Sequence, residues 1–206
     1  MVLIAEGVRN PLYDEVLRSM FEARKRVFVD LLQWDVPVHE GRFELDQFDD
    51  PHAVYLIVRG TGGEHLASAR LLPTTRPHIL DTLFSDLCAG EPPRGPDILE
   101  VTRFCLARGL RAERRLEARN CLVSALTDYA LARGIATYTG VAELGWLQQI
   151  LSFGWNCRPL GLPKEHCGKL LGALRIEIGA GTPGLLAGSG VYRRTTLEII
   201  DAKEAA

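Results

Sequence analysis

Apolar residues recur every three or four positions between residues 11 and 31, which is the period of one face of an α-helix. One stripe of this face consists of Leu17, Phe21, Arg24 and Phe28. We therefore predict an amphipathic helix over residues 11–31. The next segment, residues 33–51, contains Trp34 and an acidic run and shows no clear period, so we expect it to form an ordered loop.

Runs rich in β-branched and aromatic residues predict strands in the rest of the chain. The runs are residues 54–58, 65–72, 98–106, 137–141 and 170–178. The first two flank a glycine-rich turn and predict a hairpin, and the last precedes a glycine-rich tail. Helical periodicity predicts helices over residues 111–133 and 144–153, the first with Leu116, Val123, Leu126 and Ala130 on its inner face. Strands that precede, separate and follow helices indicate an α/β or α+β fold with a mixed sheet.

The composition narrows the class of protein. A chain of 206 residues that is 47% hydrophobic and 24% charged is typical of a soluble globular protein, and we predict a single domain over residues 1–206. No segment has the roughly 20 apolar residues of a membrane span, and residues 1–10 lack the features of a signal peptide. We therefore expect a cytoplasmic protein without a membrane partner. The net charge of −2 provides no general attraction for nucleic acid.

The cysteines indicate neither a disulfide framework nor a zinc site. They are Cys88, Cys105, Cys121, Cys157 and Cys167, an odd number with no CxxC pair. His166 precedes Cys167 directly, but the pair lacks the ligand spacing of a zinc site. We expect free thiols and no bound metal.

The first predicted helix carries a charge inside its apolar stripe. Arg24 lies between Phe21 and Phe28, and burial of an unpaired arginine is strongly unfavourable. We therefore expect carboxylates to converge on Arg24. The alternative is that its long side chain reaches solvent at the edge of the stripe.

Five further charged residues are flanked by apolar neighbours. They are Asp46, Asp49, Arg70, Glu100 and Arg103. Turn formation is the alternative explanation for the two aspartates. Glu100 and Arg103 face opposite sides of a regular strand, so a shared cleft would need a bulge. Together with Arg24, these residues indicate either a polar cleft for a zwitterionic ligand or a structural network of ion pairs.

The spacing of these residues resembles a known family. In chain order the motifs are Arg24-x-x-x-Phe28, Trp34, Glu44-x-Asp46-x-Phe48-Asp49, Arg70-Leu71-Leu72-Pro73-Thr74 and Glu100-Val101-Thr102-Arg103-Phe104. They resemble the autoinducer synthases of the LuxI type over residues 7–160, and the later motif Phe153-Gly154-Trp155 also fits.

The resemblance implies an acyl-homoserine-lactone synthase of quorum sensing. Such an enzyme acylates the α-amine of S-adenosylmethionine (SAM) from an acyl thioester and closes the product to a lactone, releasing methylthioadenosine (MTA). The implied fold is acetyltransferase-like (GNAT-like), a mixed sheet flanked by helices with a V-shaped split for the acyl-carrier arm. The implied partners are SAM and either acyl-CoA or acyl carrier protein, with no further cofactor. The sequence leaves open the acyl chain, the donor and the oligomeric state.

Residues of the family motifs carry over to the implied SAM site. They are Arg24, Phe28, Trp34, Asp46, Asp49, Arg70, Arg103 and Phe104. We expect the arginines to hold the carboxylate of SAM, the aspartates to face its cationic groups, and Phe28 and Trp34 to line the adenosyl site. Glu100 is the hypothesised base, with Asp46 as the alternative. The expected catalytic group is thus Glu100, Asp46, Arg70 and Arg103.

The acyl chain and its carrier should contact later parts of the sequence. We expect the acyl pocket to contain Thr102, Thr139, Val141, Leu144, Trp146 and Ile150. Trp146 is bulky for a long-chain tunnel and favours a short, branched or aromatic acyl group, unless it is simply a core residue. The expected docking surface for the carrier is Arg108, Arg111, Arg114 and Arg115, at the beginning of a helix. A solvated helix face is the alternative for these arginines.

Two other functions stay open at this point. One is a different N-acyltransferase of the same fold that uses acyl-CoA, for which Arg108-Gly109-Leu110-Arg111 is a poor match to a glycine-rich pyrophosphate loop. The other is a sensor domain without catalytic activity that binds a nucleoside-like ligand.

Overall fold

The computed structural model describes residues 1–201 of the chain. The strands are β1 (Val2–Glu6), β2 (Val38–His39), β3 (Phe43–Glu44), β4 (Val54–Arg59), β5 (His65–Pro73), β6 (Ile98–Leu106), β7 (Thr137–Glu143), β8 (Asn156–Pro159), β9 (Lys164–His166), β10 (Lys169–Glu177) and β11 (Leu197–Asp201). The helices are α1 (Glu15–Arg24), α2 (Ile79–Thr82), α3 (Ala112–Arg133), α4 (Leu144–Leu151) and α5 (Thr182–Gly188). A π-helical turn, Lys25–Val29, follows α1, and a 3-10 turn, Ser85–Leu87, follows α2.

The chain divides into two compact units. Unit 1 consists of Met1–Arg70, Arg103–Ala125 and residues 194–201, and unit 2 of Leu71–Thr102 and Leu126–Arg193. The strands β5 and β6 and the helix α3 contribute residues to both units. The single domain over residues 1–206 stays a prediction.

Unit 1 contains a sheet with the strand order β11-β1-β4-β5-β6. β1 pairs in parallel with β11, with Val2 opposite Leu197, and antiparallel with β4, with Val2 opposite Val58. The buried face of α1 packs on this sheet, where the rings of Phe21 and Tyr55 meet edge to face with centroids 5.8 Å apart. Unit 1 is therefore a mixed sheet covered by an amphipathic helix.

Unit 2 contains a sheet with the strand order β5-β6-β7-β10-β8, and β9 also pairs with β10. β6 and β7 are parallel, with Ile98–Glu100 opposite Thr137–Thr139, whereas β7 and β10 are antiparallel. Leu80, Leu87 and Ala173 form a core cluster here. Each unit thus combines parallel and antiparallel pairs with helices, which confirms the predicted mixed α/β class. The V-shaped split stays a prediction.

The first predicted helix is present but shorter than expected. It begins at Glu15, because the side chain of Asp14 caps it by accepting a hydrogen bond of 3.0 Å from the backbone N–H of Leu17. The α-helix ends at Arg24 and continues as the π-helical turn to Val29. The stripe of Leu17, Phe21, Arg24 and Phe28 is buried as predicted. Leu31 lies beyond the turn and is exposed.

Three sequence predictions are wrong in part. Residues 33–51 are not all loop, because β2 and β3 form a small hairpin within them. The strand predicted at residues 170–178 is not the last, because α5 and β11 follow it in place of the expected tail. Leu116 is exposed rather than on the inner face of α3, whereas Val123, Leu126 and Ala130 are buried.

Within residues 1–201, no helix combines the length and the apolar character needed to cross a membrane.

Candidate functional site

Three arginines and three carboxylates of unit 1 form a closed ring of ion pairs in which the signs of the charges alternate. In order, the ring consists of Glu44, Arg24, Asp49, Arg70, Asp46 and Arg103, with Arg103 returning to Glu44. All six side chains are buried or nearly so, and Arg103 is the most exposed at 10%. The ring unites five of the six charged residues that stand out in the sequence.

Arg24 and Arg70 form the buried half of this charge ring. Arg24 donates from Nε to Glu44 Oε2 at 2.5 Å and from its two terminal nitrogens to Asp49 at 2.8 and 2.9 Å. Arg70 donates two hydrogen bonds to Asp46 at 2.6 and 3.1 Å, and its Nη1 lies 2.9 Å from Asp49 Oδ1. The predicted anionic partners of Arg24 are therefore present, and its side chain does not reach solvent.

Arg103 closes the charge ring at its more exposed side. It donates from Nε to Glu44 Oε1 at 3.0 Å and from Nη2 to Asp46 Oδ2 at 2.7 Å. Because positive and negative groups are equal in number, the ring carries no net charge.

The partners fix the charged state of the buried members. Burial by itself would lower the pKa of Arg24, but the charges of Asp49 and Glu44 outweigh it and raise the pKa well above its ordinary value. Burial would raise the pKa of Asp49, but Arg24 and Arg70 outweigh it and lower that pKa. Both groups are therefore ionised at neutral pH.

A tight turn positions the two aspartates. The backbone N–H of Asp49 donates to the carbonyl of Asp46 at 3.0 Å, and the backbone N–H of Asp46 donates to Asp49 Oδ2 at 2.9 Å. The backbone N–H of Phe48 donates to Asp46 Oδ1 at 2.9 Å. The aspartates thus form the turn and the ion pairs at once, so turn formation does not exclude them from the network.

The π-helical turn after Arg24 brings an aromatic pair to the charge ring. The carbonyl of Phe28 accepts a hydrogen bond of 2.8 Å from the backbone N–H of Trp34. The two rings stack with centroids 4.7 Å apart and planes 18° from parallel. The guanidinium carbon of Arg103 lies 5.7 and 5.9 Å from these two centroids, a cation–π arrangement. π-helical turns occur frequently at functional sites.

Arg103 and Glu100 both lie on β6 but belong to different units. Arg103 has a φ of +50°, which is unfavourable for a residue with a side chain and interrupts the regular strand. Its neighbour Phe104 is half-buried in unit 1. Glu100 is fully buried in unit 2, where its Oε1 accepts a hydrogen bond of 3.0 Å from the backbone N–H of Leu80. The six residues whose ion pairs define the charge ring do not include Glu100.

The sequence patterns predicted no role for Glu44, which is a member of the ring, or for Tyr55, which contacts the ring. Glu44 was only part of one family motif. The hydroxyl of Tyr55 donates to Asp49 Oδ1 at 3.0 Å, and burial together with the charge of Asp49 raises the pKa of Tyr55 well above its ordinary value. The two adjacent residues Phe43 and Glu44 are both buried, which departs from the alternation that marks a strand in a sequence.

The residues expected to form the acyl pocket all belong to unit 2. Thr102 and Thr139 are buried, while Val141, Leu144, Trp146 and Ile150 are half-buried. Trp146 meets the buried ring of Phe153 edge to face, with centroids 5.9 Å apart. The assignment of these residues to an acyl pocket stays a prediction.

The arginines expected to dock the carrier are exposed in unit 1. Arg108 and Arg111 precede α3, and Arg114 and Arg115 lie in its first turn. Arg114 forms an ion pair with Glu64 on the surface. The feature that favours anion binding, the beginning of a long helix, is present at this surface.

The described cysteines are free thiols, and burial raises the pKa of Cys105 to about 12. In the part of the chain that the structure describes, no group of three or more His, Cys, Asp and Glu side chains is arranged to hold a metal ion. A site without metal or further cofactor stays a prediction.

A comparison with protein families bears on this site. The model of the family described as autoinducer synthase matches residues 9–178, a range that contains the whole charge ring, the aromatic pair and Glu100. The chain belongs to the autoinducer synthase family. The resemblance found in the sequence motifs is thereby confirmed.

This autoinducer synthase is similar in sequence to homoserine-lactone synthases of other bacteria. It is 32% identical to an acyl-homoserine-lactone synthase of Ralstonia solanacearum over 164 residues, which cover 77% of this chain and 80% of that protein. It is also 32% identical to an isovaleryl-homoserine lactone synthase of Bradyrhizobium diazoefficiens over 165 residues, covering 79% and 73% of the two chains.

A solved structure is similar over nearly the whole autoinducer synthase. It is a CoA-dependent acyl-homoserine lactone synthase with SAM and isopentyl-CoA, with a TM-score of 0.83, 28% identity and coverage of 98% of this chain and 96% of that chain. This match confirms the predicted GNAT-like fold.

Proposed function

We propose that the protein is an acyl-homoserine-lactone synthase that transfers an acyl group from a thioester to the amine of SAM and then forms the lactone. The observation that carries this proposal is the neutral charge ring with an aromatic pair at its most exposed member, in a chain of the autoinducer synthase family. SAM contains a carboxylate, an amine, a sulfonium and an adenosyl group. The charge ring and the aromatic pair provide complementary chemistry for each of them.

Arg103 is the proposed contact for the carboxylate of SAM. Within residues 1–201, its ion pairs and hydrogen bonds use Nε and Nη2, so Nη1 can donate to a ligand. A guanidinium binds a carboxylate through charge-assisted hydrogen bonds. The adjacent rings of Phe28 and Trp34 provide apolar surface for the adenosyl group and a cation–π contact for the sulfonium.

Glu100 rather than Asp46 is the proposed base that accepts the proton of the attacking amine. Asp46 Oδ1 accepts hydrogen bonds from Arg70 and from Phe48 N–H, and Oδ2 accepts from Arg70 and Arg103. A carboxylate offers about four acceptor positions, so these four hydrogen bonds occupy the acceptor positions of Asp46. This occupancy favours Glu100, whose Oε1 accepts a hydrogen bond from the neutral backbone N–H of Leu80.

The proposed reaction has two bond-forming steps. The free amine attacks the thioester carbonyl, the C–N bond forms and the C–S bond breaks, and the amine proton passes through Glu100 to the departing thiolate. Backbone N–H groups are the proposed donors to the developing oxyanion. The methionyl carboxylate then attacks its own γ-carbon, a C–O bond forms, and the electron pair of the broken C–S bond neutralises the sulfonium as MTA leaves. Positioning suffices for this second step.

A short or branched acyl group carried by CoA is the proposed donor. Trp146 occupies a large volume among the expected acyl-pocket residues, which disfavours a long straight chain. The names of the isovaleryl-homoserine lactone synthase and of the structure with isopentyl-CoA support this choice by similarity. Arg108, Arg111 and Arg115 are the proposed contacts for the phosphates of the carrier, since they are exposed near the beginning of α3.

We further propose that the reaction takes place in the cytoplasm and needs no metal or cofactor beyond the two substrates. Neither chemical step requires electron transfer, and the sulfonium is already a good leaving group.

The experiment that tests the function is a product assay. Purified protein is incubated with SAM and a panel of acyl-CoAs and acyl carrier proteins, and the products are identified by mass spectrometry. The proposal predicts a homoserine lactone together with MTA, with the best turnover for a short or branched acyl-CoA. A different N-acyltransferase would release CoA without MTA, and a sensor domain would bind SAM without forming either product.

A further inference from the structure

Glu44 bridges two arginines of the charge ring from a fully buried position. Its Oε2 accepts from Arg24 Nε at 2.5 Å and its Oε1 from Arg103 Nε at 3.0 Å. Glu44 is held in place by the two-residue strand β3, in which the adjacent residue Phe43 is also buried. No other carboxylate of the charge ring contacts both Arg24 and Arg103.

The orientation of the Arg103 guanidinium depends on Glu44. The backbone of Arg103 is held at a φ of +50°, and such a conformation persists only when its surroundings fix it. Glu44 binds Nε, Asp46 binds Nη2, and two bonds at different nitrogens of a planar group determine its plane. The Nη1 edge is thereby presented in one orientation to an anionic ligand.

Glu44 also sets the net charge that a ligand meets. SAM with a protonated amine carries one net positive charge, because its sulfonium and ammonium outweigh its carboxylate. MTA, the neutral product, carries neither the sulfonium nor the amino acid. Without the charge of Glu44 the ring would carry one net positive charge, which repels SAM but leaves MTA unaffected.

We propose that Glu44 is a positioning residue that makes the site selective for the sulfonium substrate over the neutral product. It does so by fixing the plane of Arg103 and by keeping the charge ring neutral. This inference rests on the proposed function and deepens it, since it names the residue that distinguishes SAM from MTA at the same site.

The variant Glu44→Gln tests this role by calorimetric titration and by kinetics. Removal of the charge and of one acceptor bond should raise the Kd of SAM by about tenfold or more, while the Kd of MTA changes by less than about threefold. The KM for SAM should rise by a similar factor. The KM for the acyl donor and the kcat at saturating SAM should stay within about threefold, because Glu44 is not a proton acceptor in the reaction.

Glu22→Gln is the matched control. Glu22 also contacts two arginines of unit 1, Arg26 and Arg42, which are both exposed, but it is half-buried and lies outside the charge ring. Its loss changes the total charge of the protein by the same amount, and the Kd of SAM should stay within about twofold because exposed ion pairs contribute little.

Glu44→Asp keeps the proposal testable if the glutamine variant does not fold. Its carboxylate is one methylene shorter and cannot reach both arginines, yet it keeps the ring neutral. The rise in the Kd of SAM should therefore be smaller than for glutamine, with the Kd of MTA again unchanged. Circular dichroism and thermal unfolding establish that each variant is native.

The proposal is overturned if a folded Glu44 variant loses SAM and MTA affinity by the same factor, or loses neither. Its failure differs from a failure of the proposed function. If only the role of Glu44 is wrong, the wild-type protein forms lactone and the variants keep the wild-type preference for SAM over MTA. If the proposed function is wrong, the wild-type protein forms no lactone.

Discussion

Arg24 and Asp49 are joined by two parallel N–H···O hydrogen bonds of 2.8 and 2.9 Å, and each side chain is only 1% exposed. A pair that is this well enclosed cannot exchange its partners for water while the protein stays folded. Removal of one member leaves an uncompensated buried charge, which costs about 3–5 kcal/mol. The stability of the protein should therefore depend on this pair and on the ionisation of Asp49.

The first prediction concerns stability and pH. Arg24 and Arg70 hold the pKa of Asp49 below its ordinary value despite burial, so the folded state favours the carboxylate. The resulting stability is fully present above the unfolded pKa of about 3.9 and is lost as the pH falls further, towards the folded pKa. Asp49→Asn should lower the free energy of unfolding at pH 7 by about 3–5 kcal/mol and should reduce its further decrease between pH 5 and pH 3. Urea unfolding at several pH values measures both effects.

Tyr55→Phe is the control for this prediction. It removes the hydrogen bond from the hydroxyl to Asp49 but leaves the carboxylate ionised. The free energy of unfolding should fall by about 1.5–3 kcal/mol, the usual contribution of a hydrogen bond to a charged group, with the pH dependence of the wild type. An Asp49→Asn protein with the same pH dependence as the wild type would contradict the assignment.

The second prediction concerns the base. Glu100→Gln keeps an oxygen that accepts the hydrogen bond from Leu80 N–H but cannot accept a proton at neutral pH. The kcat should fall by about 10²–10⁴-fold, the usual contribution of a general base, with a small change in the KM for SAM. Steady-state kinetics measure the two constants separately. A turnover near that of the wild type would remove Glu100 from this role.

Sequence patterns identified the charge ring because an arginine inside an apolar stripe requires a partner. Arg24 met this condition, and Asp46, Asp49, Arg70 and Arg103 were charges among apolar neighbours. The pattern could not show which side of β6 Arg103 faces, because arginine is not a residue type that signals a positive φ. The alternation of side chains along a regular strand therefore could not predict which sides of β6 Glu100 and Arg103 face.

Other features depended on contacts between distant parts of the chain. Glu44 lies in a hairpin of two-residue strands, which are too short to show a period of two. The strand β11 exists through its pairing with β1 at the other end of the chain, which no local pattern predicts. For α5 a local signal was available, since Pro183 lies in its first turn, where proline is favoured.

The third prediction concerns the aromatic pair. Trp34→Ala removes the stacking partner of Phe28 and the cation–π surface near Arg103. A contact worth about 0.5–2 kcal/mol corresponds to a rise in the KM for SAM of roughly 2- to 30-fold. Trp34→Phe keeps an aromatic face and should show a smaller rise. Equal KM values for the wild type and the alanine variant would exclude Trp34 from the adenosyl site.

The fourth prediction concerns the acyl group. Trp146→Ala opens volume beside Phe153, whose ring meets that of Trp146 edge to face. Each further buried CH₂ group contributes about 0.8 kcal/mol, so the ratio of kcat/KM for octanoyl-CoA to that for isovaleryl-CoA should rise by about tenfold or more. Trp146→Phe should give an intermediate ratio. If the ratio does not change in either variant, Trp146 is a core residue and does not limit the acyl chain.

The most direct test of the account is the affinity of Arg103→Lys for SAM, measured by calorimetric titration beside the wild type. Lysine keeps the net charge of the ring but has no planar fork to bind Glu44, Asp46 and a ligand carboxylate together. One SAM should bind per wild-type chain, and the Kd should be about tenfold or more higher in the folded variant, since a hydrogen bond to a charged group contributes about 1.5–3 kcal/mol. A variant that binds SAM as tightly as the wild type would contradict the claim that the charge ring holds the substrate.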